Sequence, residues 1–200
     1  MMALLIAVAL SVQYVKSSDR EGFSAVNFFS YFTVLSNVAA AALLLWETAR
    51  PPDVHTPREC TVRGAVTLYM CITGLVYAVL LAPASADVDV TEAWVDAVVH
   101  EIAPIAVLLD WVVEPARRLP RGWSVVAAWL LFPAAYLVYT LARGADTGWY
   151  PYPFLDPDES GGYGGVAAYS AGVLAAFVAV ALALRWWALR SRAPEPAAAW

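Results

Sequence analysis

Apolar residues in this chain fall into long runs, not into short alternating or one-faced patterns. Six such runs can be placed, at about 1–16, 23–49, 61–83, 93–114, 123–143 and 165–190. A helix needs about 20 mostly apolar residues to cross roughly 30 Å of hydrocarbon. The pattern therefore predicts an all-α integral membrane bundle of six transmembrane helices. The stretches between runs are short, so 1–200 is expected as a single transmembrane domain. The first run has no basic n-region and no small-x-small cleavage site before "QYVKSSDR". It is expected as a retained first helix, not a signal peptide.

Polar residues interrupt two of the runs. The second contains "FFSYFTVLSN", Phe28 to Asn37, and carries Asn27, Ser30, Thr33, Ser36 and Asn37. The fourth reads "AWVDAVVHEIAPIAVLLDWVVEP" and carries Asp96, His100, Glu101 and Asp110. On a continuous helix at about 100° per residue, Ser30, Thr33 and Asn37 fall within roughly 60° of one another. Asp96, His100 and Asp110 fall within roughly 80°, with Glu101 about 100° from His100. Each helix should turn one polar stripe inward, with Ser36 off that face and against a neighbouring helix.

Composition sharpens this picture. The chain is 61% hydrophobic and 14% charged, against about 25% charged in a soluble domain. No basic tract suggests nucleic-acid binding, and no cofactor is implied. Cys60 and Cys71 should lie at different depths, which argues against a disulfide. Basic residues mark cytoplasmic loops. One set of helix ends holds Arg50, Arg58, Arg63, Arg117, Arg118, Arg121, Arg185, Arg190 and Arg192, and the other only Lys16, Arg20 and Arg143. Both termini are thus expected in the cytoplasm of a cell-membrane protein. The outer loops are acidic, with Asp19, Glu21, Asp87, Asp89, Glu92, Asp146, Asp156, Asp158 and Glu159. Trp46, Trp111, Trp123, Trp186 and Trp187 should form an inner aromatic belt. Trp94, Trp149, Tyr150 and Tyr152 should form an outer one.

Ionisable groups in hydrocarbon are costly and point to function. Thr33 is expected roughly 15 Å below the outer end of helix 2, and His100 roughly 10 Å below that of helix 4. The two can meet. A hydroxyl beside an imidazole is a nucleophile–base pair. Asp96, one turn before His100, can orient the ring as a third member. Asn37 or Asn27 can donate to a developing oxyanion, with Ser30 as support. That set suits ester hydrolysis. Each residue also has a plainer use. Ser and Thr pack membrane helices, Asn bonds across them, and a buried His can be structural. Asp110 is expected to anchor helix 4 near Arg117 or Arg118. Glu101 can be a gate, a ligand or a partner for Arg143. "HEIAP" has Pro104 where a zinc-binding HExxH has its second His, so no metal site is expected. Pro104 is expected to kink helix 4 and open a cavity below His100.

"FFSYFTVLSN", "HEIAPIAVLLDW" and "GWYPYPFLDP" in this order resemble the androgen-induced protein family, which includes the androgen-dependent regulator of tissue factor pathway inhibitor. The three motifs span 28–157. The animal members are multi-pass membrane hydrolases that use a Thr nucleophile and a His on fatty acid esters of hydroxy fatty acids. The resemblance implies Thr33 and His100 as that pair. It does not extend to Asp96, which rests on helical spacing. The acidic, Gly-rich segment "LDPDESGGYGG" departs from the family pattern.

The loop expected over 144–165 is the one long loop. Loops of that length often act as lids. Trp149, Tyr150, Tyr152 and Phe154 give it an apolar face, suited to covering the outer mouth or to anchoring at the interface. The reading that follows is a threonine-dependent lipid-ester hydrolase whose substrate enters from the bilayer, with membrane lipids as its surroundings. The alternatives are an ion- or proton-coupled transporter using Asp96, His100, Glu101 and Asp110 as a relay, or a non-catalytic lipid-binding protein.

Overall fold

A computed structural model describes residues 1–49, 55–82 and 92–191. Arg50, Asp87, Asp89 and Arg192, named above, lie outside the described residues. The described residues are helical with no strand. In order they form α1 (Met2–Ser18), α2 (Ala25–Phe28), α3 (Phe32–Thr48) and α4 (Pro57–Val76), then α5 (Ala93–Ala97), α6 (Ala103–Val113), α7 (Ser124–Thr147), α8 (Pro157–Ser160) and α9 (Tyr163–Arg190). A π turn, Tyr77–Leu81, extends α4, and a second, Val98–Ile102, joins α5 to α6 in one rod.

Three helical stretches are long and apolar enough to cross a membrane: Pro57–Leu81, Ser124–Thr147 and Tyr163–Arg190. Met2–Ser18 and Phe32–Thr48 are apolar but shorter. The rod containing α5 and α6 carries Asp96, Glu101 and Asp110.

Local chemistry explains where the elements start and stop. α4 opens four residues before the expected apolar run because "TPRE" caps it. The Thr56 hydroxyl accepts from the Glu59 amide, Glu59 accepts from the Thr56 amide, and Pro57 needs no partner at the first helical position. α7 ends at Gly148, which is left-handed at φ 68°. The loop expected over 144–165 is therefore shorter. Residues 144–147 belong to α7 and 163–165 to α9, while a 3-10 turn (Pro153–Leu155) and α8 order the middle.

α4 is the central helix and packs against α3, α6, α7 and α9, while α1 packs on α3 and the second π turn. Gly64 lets α7 come close, since a Cβ there would meet the Trp129 ring at 2.1 Å. Trp129 is fully buried, and its indole donates to the Thr61 carbonyl at 2.7 Å.

Several expectations change. The second run is not one helix. It breaks at 29–31, where Tyr31 is extended, and restarts at Phe32. Arg63 is not a loop charge but a side chain buried in α4. It pairs with Asp110 at 2.7 Å and Glu47 at 2.9 Å. Asp110 thus answers Arg63, not Arg117 or Arg118, because a buried guanidinium must be paired to be tolerated. Trp111 does not sit in an interfacial belt. It is buried, and its indole donates to the Leu184 carbonyl. Cys60 and Cys71 are both free.

Candidate active site

Thr33, His100 and Asp96 meet in one hydrogen-bonded line. His100 Nε2 lies 3.3 Å from Thr33 Oγ1, and His100 Nδ1 lies 2.8 Å from Asp96 Oδ1. A carboxylate only accepts, so Nδ1 carries the proton toward Asp96 and Nε2 is left to accept from the Thr33 hydroxyl. The Tyr77 phenol donates to Asp96 Oδ2. The Tyr77 ring also stacks on the imidazole, with centroids 4.2 Å apart and planes 8° from parallel. His100 is thus held at its edge by Asp96 and over its face by Tyr77.

The backbone that sets this line differs from the expected one. Thr33 is not about three turns inside a helix; it is the second residue of α3. The first amides of an α-helix have no carbonyl partner within it. The Thr33 amide donates to the Tyr152 hydroxyl at 3.3 Å. Tyr152 thus turns inward. It is buried at the start of α3, and burial pushes its phenol above the ordinary value. It stays neutral and keeps an O–H to donate.

His100 sits in the π turn Val98–Ile102, and Tyr77 begins the other. Single π turns inside α-helices recur at functional sites. Here Pro104 supplies the cause. Its ring would clash with the carbonyl four residues back, which is that of His100. A widened turn relieves the clash, and the Ala103 amide reaches back to the Val98 carbonyl. The Val99 carbonyl then lacks a helical donor, because Pro104 has no N–H. Asn37 Nδ2 fills that place at 3.0 Å and also donates to the Thr33 carbonyl at 2.9 Å. α4 comes close to this stretch at Gly74, where a Cβ would lie 3.2 Å from Pro104 and 3.1 Å from the His100 carbonyl.

The supporting residues sort differently from expectation. Both Nδ2 hydrogens of Asn37 are committed to carbonyls, so Asn37 fastens α3 to the π turn and is not free for an oxyanion. Asn27 Oδ1 accepts from Arg143 at 2.6 Å and is an acceptor there, not an oxyanion donor. Arg143 takes Asn27, not Glu101, and Glu101 is exposed. Ser30 lies outside α3. Its hydroxyl contacts the Val26 carbonyl and the Tyr139 phenol, and its carbonyl accepts from Tyr136 at 2.8 Å. Ser36 meets Thr73 of α4 at 2.8 Å. Asp96, His100, Glu101 and Asp110 do not form one path, since Asp110 is bound to Arg63 and Glu101 points outward.

An apolar cavity of about 380 Å³ opens beside Thr33, between α3, α4, α7 and α9. Thr33 and Thr73 are among the few polar groups on its wall, with Ile72, Leu137, Val173 and Phe177 forming part of the rest. Ala134, Val138, Ala171 and Leu174 line it while remaining exposed on the outer faces of α7 and α9. From the loop, Tyr152 and Phe154 reach its wall and stack on each other at 5.2 Å. Trp149 packs on Tyr31 and lies under Arg143, and Tyr150 fills the space left by Gly144.

Sequence reasoning missed Tyr77, whose role depends on a contact between two distant segments. It also missed the Tyr152 contact with Thr33, because the aromatic loop gave no hint of which phenol turns inward. Compared with known proteins, the chain matches no family model, no curated protein and no solved structure.

Proposed function

We propose that the protein is an intramembrane lipid-ester hydrolase with Thr33 as nucleophile and His100 as base. The observation that carries the reading is the Thr33 hydroxyl, 3.3 Å from His100 Nε2, on the wall of an apolar cavity. An apolar wall with few polar groups suits an acyl chain.

As the Thr33 oxygen attacks the ester carbonyl, its proton passes to His100 Nε2. The imidazolium is stabilised by Asp96 through Nδ1–H. The carbonyl oxygen becomes an oxyanion beside the start of α3, where the Tyr152 phenol, which accepts from the Thr33 amide, has its own O–H to donate. The intermediate collapses, the ester C–O bond breaks, and His100 returns the proton to the leaving alcohol. An acyl-threonine remains. Water then attacks it, giving its proton to His100, and the acid leaves as Thr33 recovers its hydrogen. The exposed cavity residues on α7 and α9 support entry of the substrate from the bilayer side.

The same proposal includes six membrane-spanning helices in the cell membrane with both termini cytoplasmic, and membership of the androgen-induced protein family. The substrate class is then a fatty acid ester of a hydroxy fatty acid or a similar lipid ester. Purified protein in detergent, given such an ester, should release both product acids, measured by mass spectrometry. Thr33→Ala and His100→Ala should each lose about 10³-fold or more of the rate. Full turnover by Thr33→Ala, or ester bound without product, contradicts the reading.

A further inference from the structure

A second cavity, of about 540 Å³, lies at the opposite end of α4 from His100. It does not share a residue with the cavity beside Thr33. Its lining residues include Arg63, Arg117 and Arg118, together with His55 and Cys60, against one acidic residue, Glu114.

The three arginines are not equivalent. Arg63 is buried and immobilised by Glu47, Asp110 and the Glu114 carbonyl, so its charge is already answered. His55 is 3.9 Å from Glu59, which balances it in the same way if it is charged. The guanidiniums of Arg117 and Arg118 have no hydrogen-bond or ion-pair partner among the described residues. Yet the turn that presents them is not loose. Ala116 and Leu119, on either side, are both buried, and the Leu119 amide closes on the Ala116 carbonyl at 3.0 Å. The turn thus sets two adjacent like charges at the rim of the cavity, beside an Arg63 whose own charge is already paired. An anion relieves the repulsion between the two, and the guanidinium fork matches the oxygens of a phosphate, to which it can bind bidentately.

We propose that this cavity is a phosphate-binding site, formed by Arg117 and Arg118 at its rim with His55 and Arg63 behind them. The bound phosphate is that of a lipid headgroup or of a soluble phosphate ester. The volume exceeds what one phosphate fills and leaves room for a glycerol unit. The end of the bundle that holds it is rich in aromatic–basic pairs suited to a membrane surface: Arg185 lies 4.4 Å over Trp123 and Arg190 5.0 Å over Trp186. The site does not depend on any role for Thr33.

The test is thermal unfolding of the purified, detergent-solubilised full chain with three probes: short-chain phosphatidic acid, glycerol phosphate and short-chain diacylglycerol. Phosphatidic acid should raise the Tm and diacylglycerol should not. The double variant Arg117→Gln/Arg118→Gln should weaken the response about tenfold or more without lowering the ligand-free Tm, because both side chains are exposed. A rise with glycerol phosphate at similar concentrations assigns a soluble source; a rise with phosphatidic acid alone assigns a lipid. No rise with either phosphate, an equal rise with diacylglycerol, or a response unchanged in the double variant overturns the site. The comparison of phosphatidic acid with diacylglycerol needs only wild-type protein, so it stands even if the variant folds poorly.

Discussion

Asp96 has both carboxylate oxygens engaged, one by His100 and one by Tyr77. That arrangement fixes the imidazole tautomer as well as its position. Replacing Asp96 with Asn permits the wrong tautomer with little change of shape. The expected outcome is a fall in kcat of about 10²–10⁴-fold with a near-native melting curve. An unchanged rate would show that the tautomer does not matter. Tyr77→Phe is a gentler probe. It keeps the ring stacked on His100 and removes only the bond to Asp96, so steady-state kinetics should show about a tenfold loss. His100 and Asp96 were legible in the sequence because ionisable groups in an apolar run stand out and residues four apart share a helix face; Thr33 was legible as a polar residue in such a run, within a motif that resembles a known family. Tyr77 was not legible. Nothing in its own segment says that a ring from the end of α4 will lie flat on a residue of the rod.

At the scale of the element, the proline and the asparagine belong together. Pro104 drives the π turn, the turn strands the Val99 carbonyl, and Asn37 satisfies it from α3. Asn37→Ala leaves the Val99 carbonyl short of a donor, while the Thr33 carbonyl keeps the Ser36 hydroxyl. It should destabilise the protein by about 1–3 kcal/mol, seen as a lower Tm in thermal unfolding. Pro104→Ala should act in the opposite sense on stability. It restores an amide at 104 and lets the rod relax toward a regular helix, which rotates His100 away from Thr33. Activity should fall with no loss of Tm; retained activity would mean that the π turn is held by its neighbours. The apolar runs foretold that helices exist, but not the break at 29–31. Hydropathy does not register a change of backbone direction inside an apolar stretch, so Thr33 starts its helix where a position well inside one was expected. The residue nonetheless lies against His100, because the start of α3 packs at the level of the π turn.

At the scale of the whole molecule, the account joins a polar line at the start of α3 to an apolar cavity with residues exposed on the outer faces of α7 and α9. Ala134 lines the cavity from α7. Ala134→Trp should obstruct long acyl chains and spare short esters, so kcat/KM should fall about tenfold or more for a long-chain ester and little for a short-chain one. Equal losses on both would place the chain elsewhere. The cavity itself was not legible from the sequence, since it arises from four helices and a loop that sequence spacing cannot orient. The central claim is that Thr33 forms a covalent bond to the substrate carbonyl carbon. A fluorophosphonate probe reports that chemistry directly, by attaching to an activated hydroxyl. Labelled protein is digested and the modified peptide is sequenced by mass spectrometry, in wild type, Thr33→Ala and His100→Ala. Wild type should carry an adduct on Thr33, and neither variant should carry one. An adduct on another residue, or labelling that survives Thr33→Ala, contradicts the central claim.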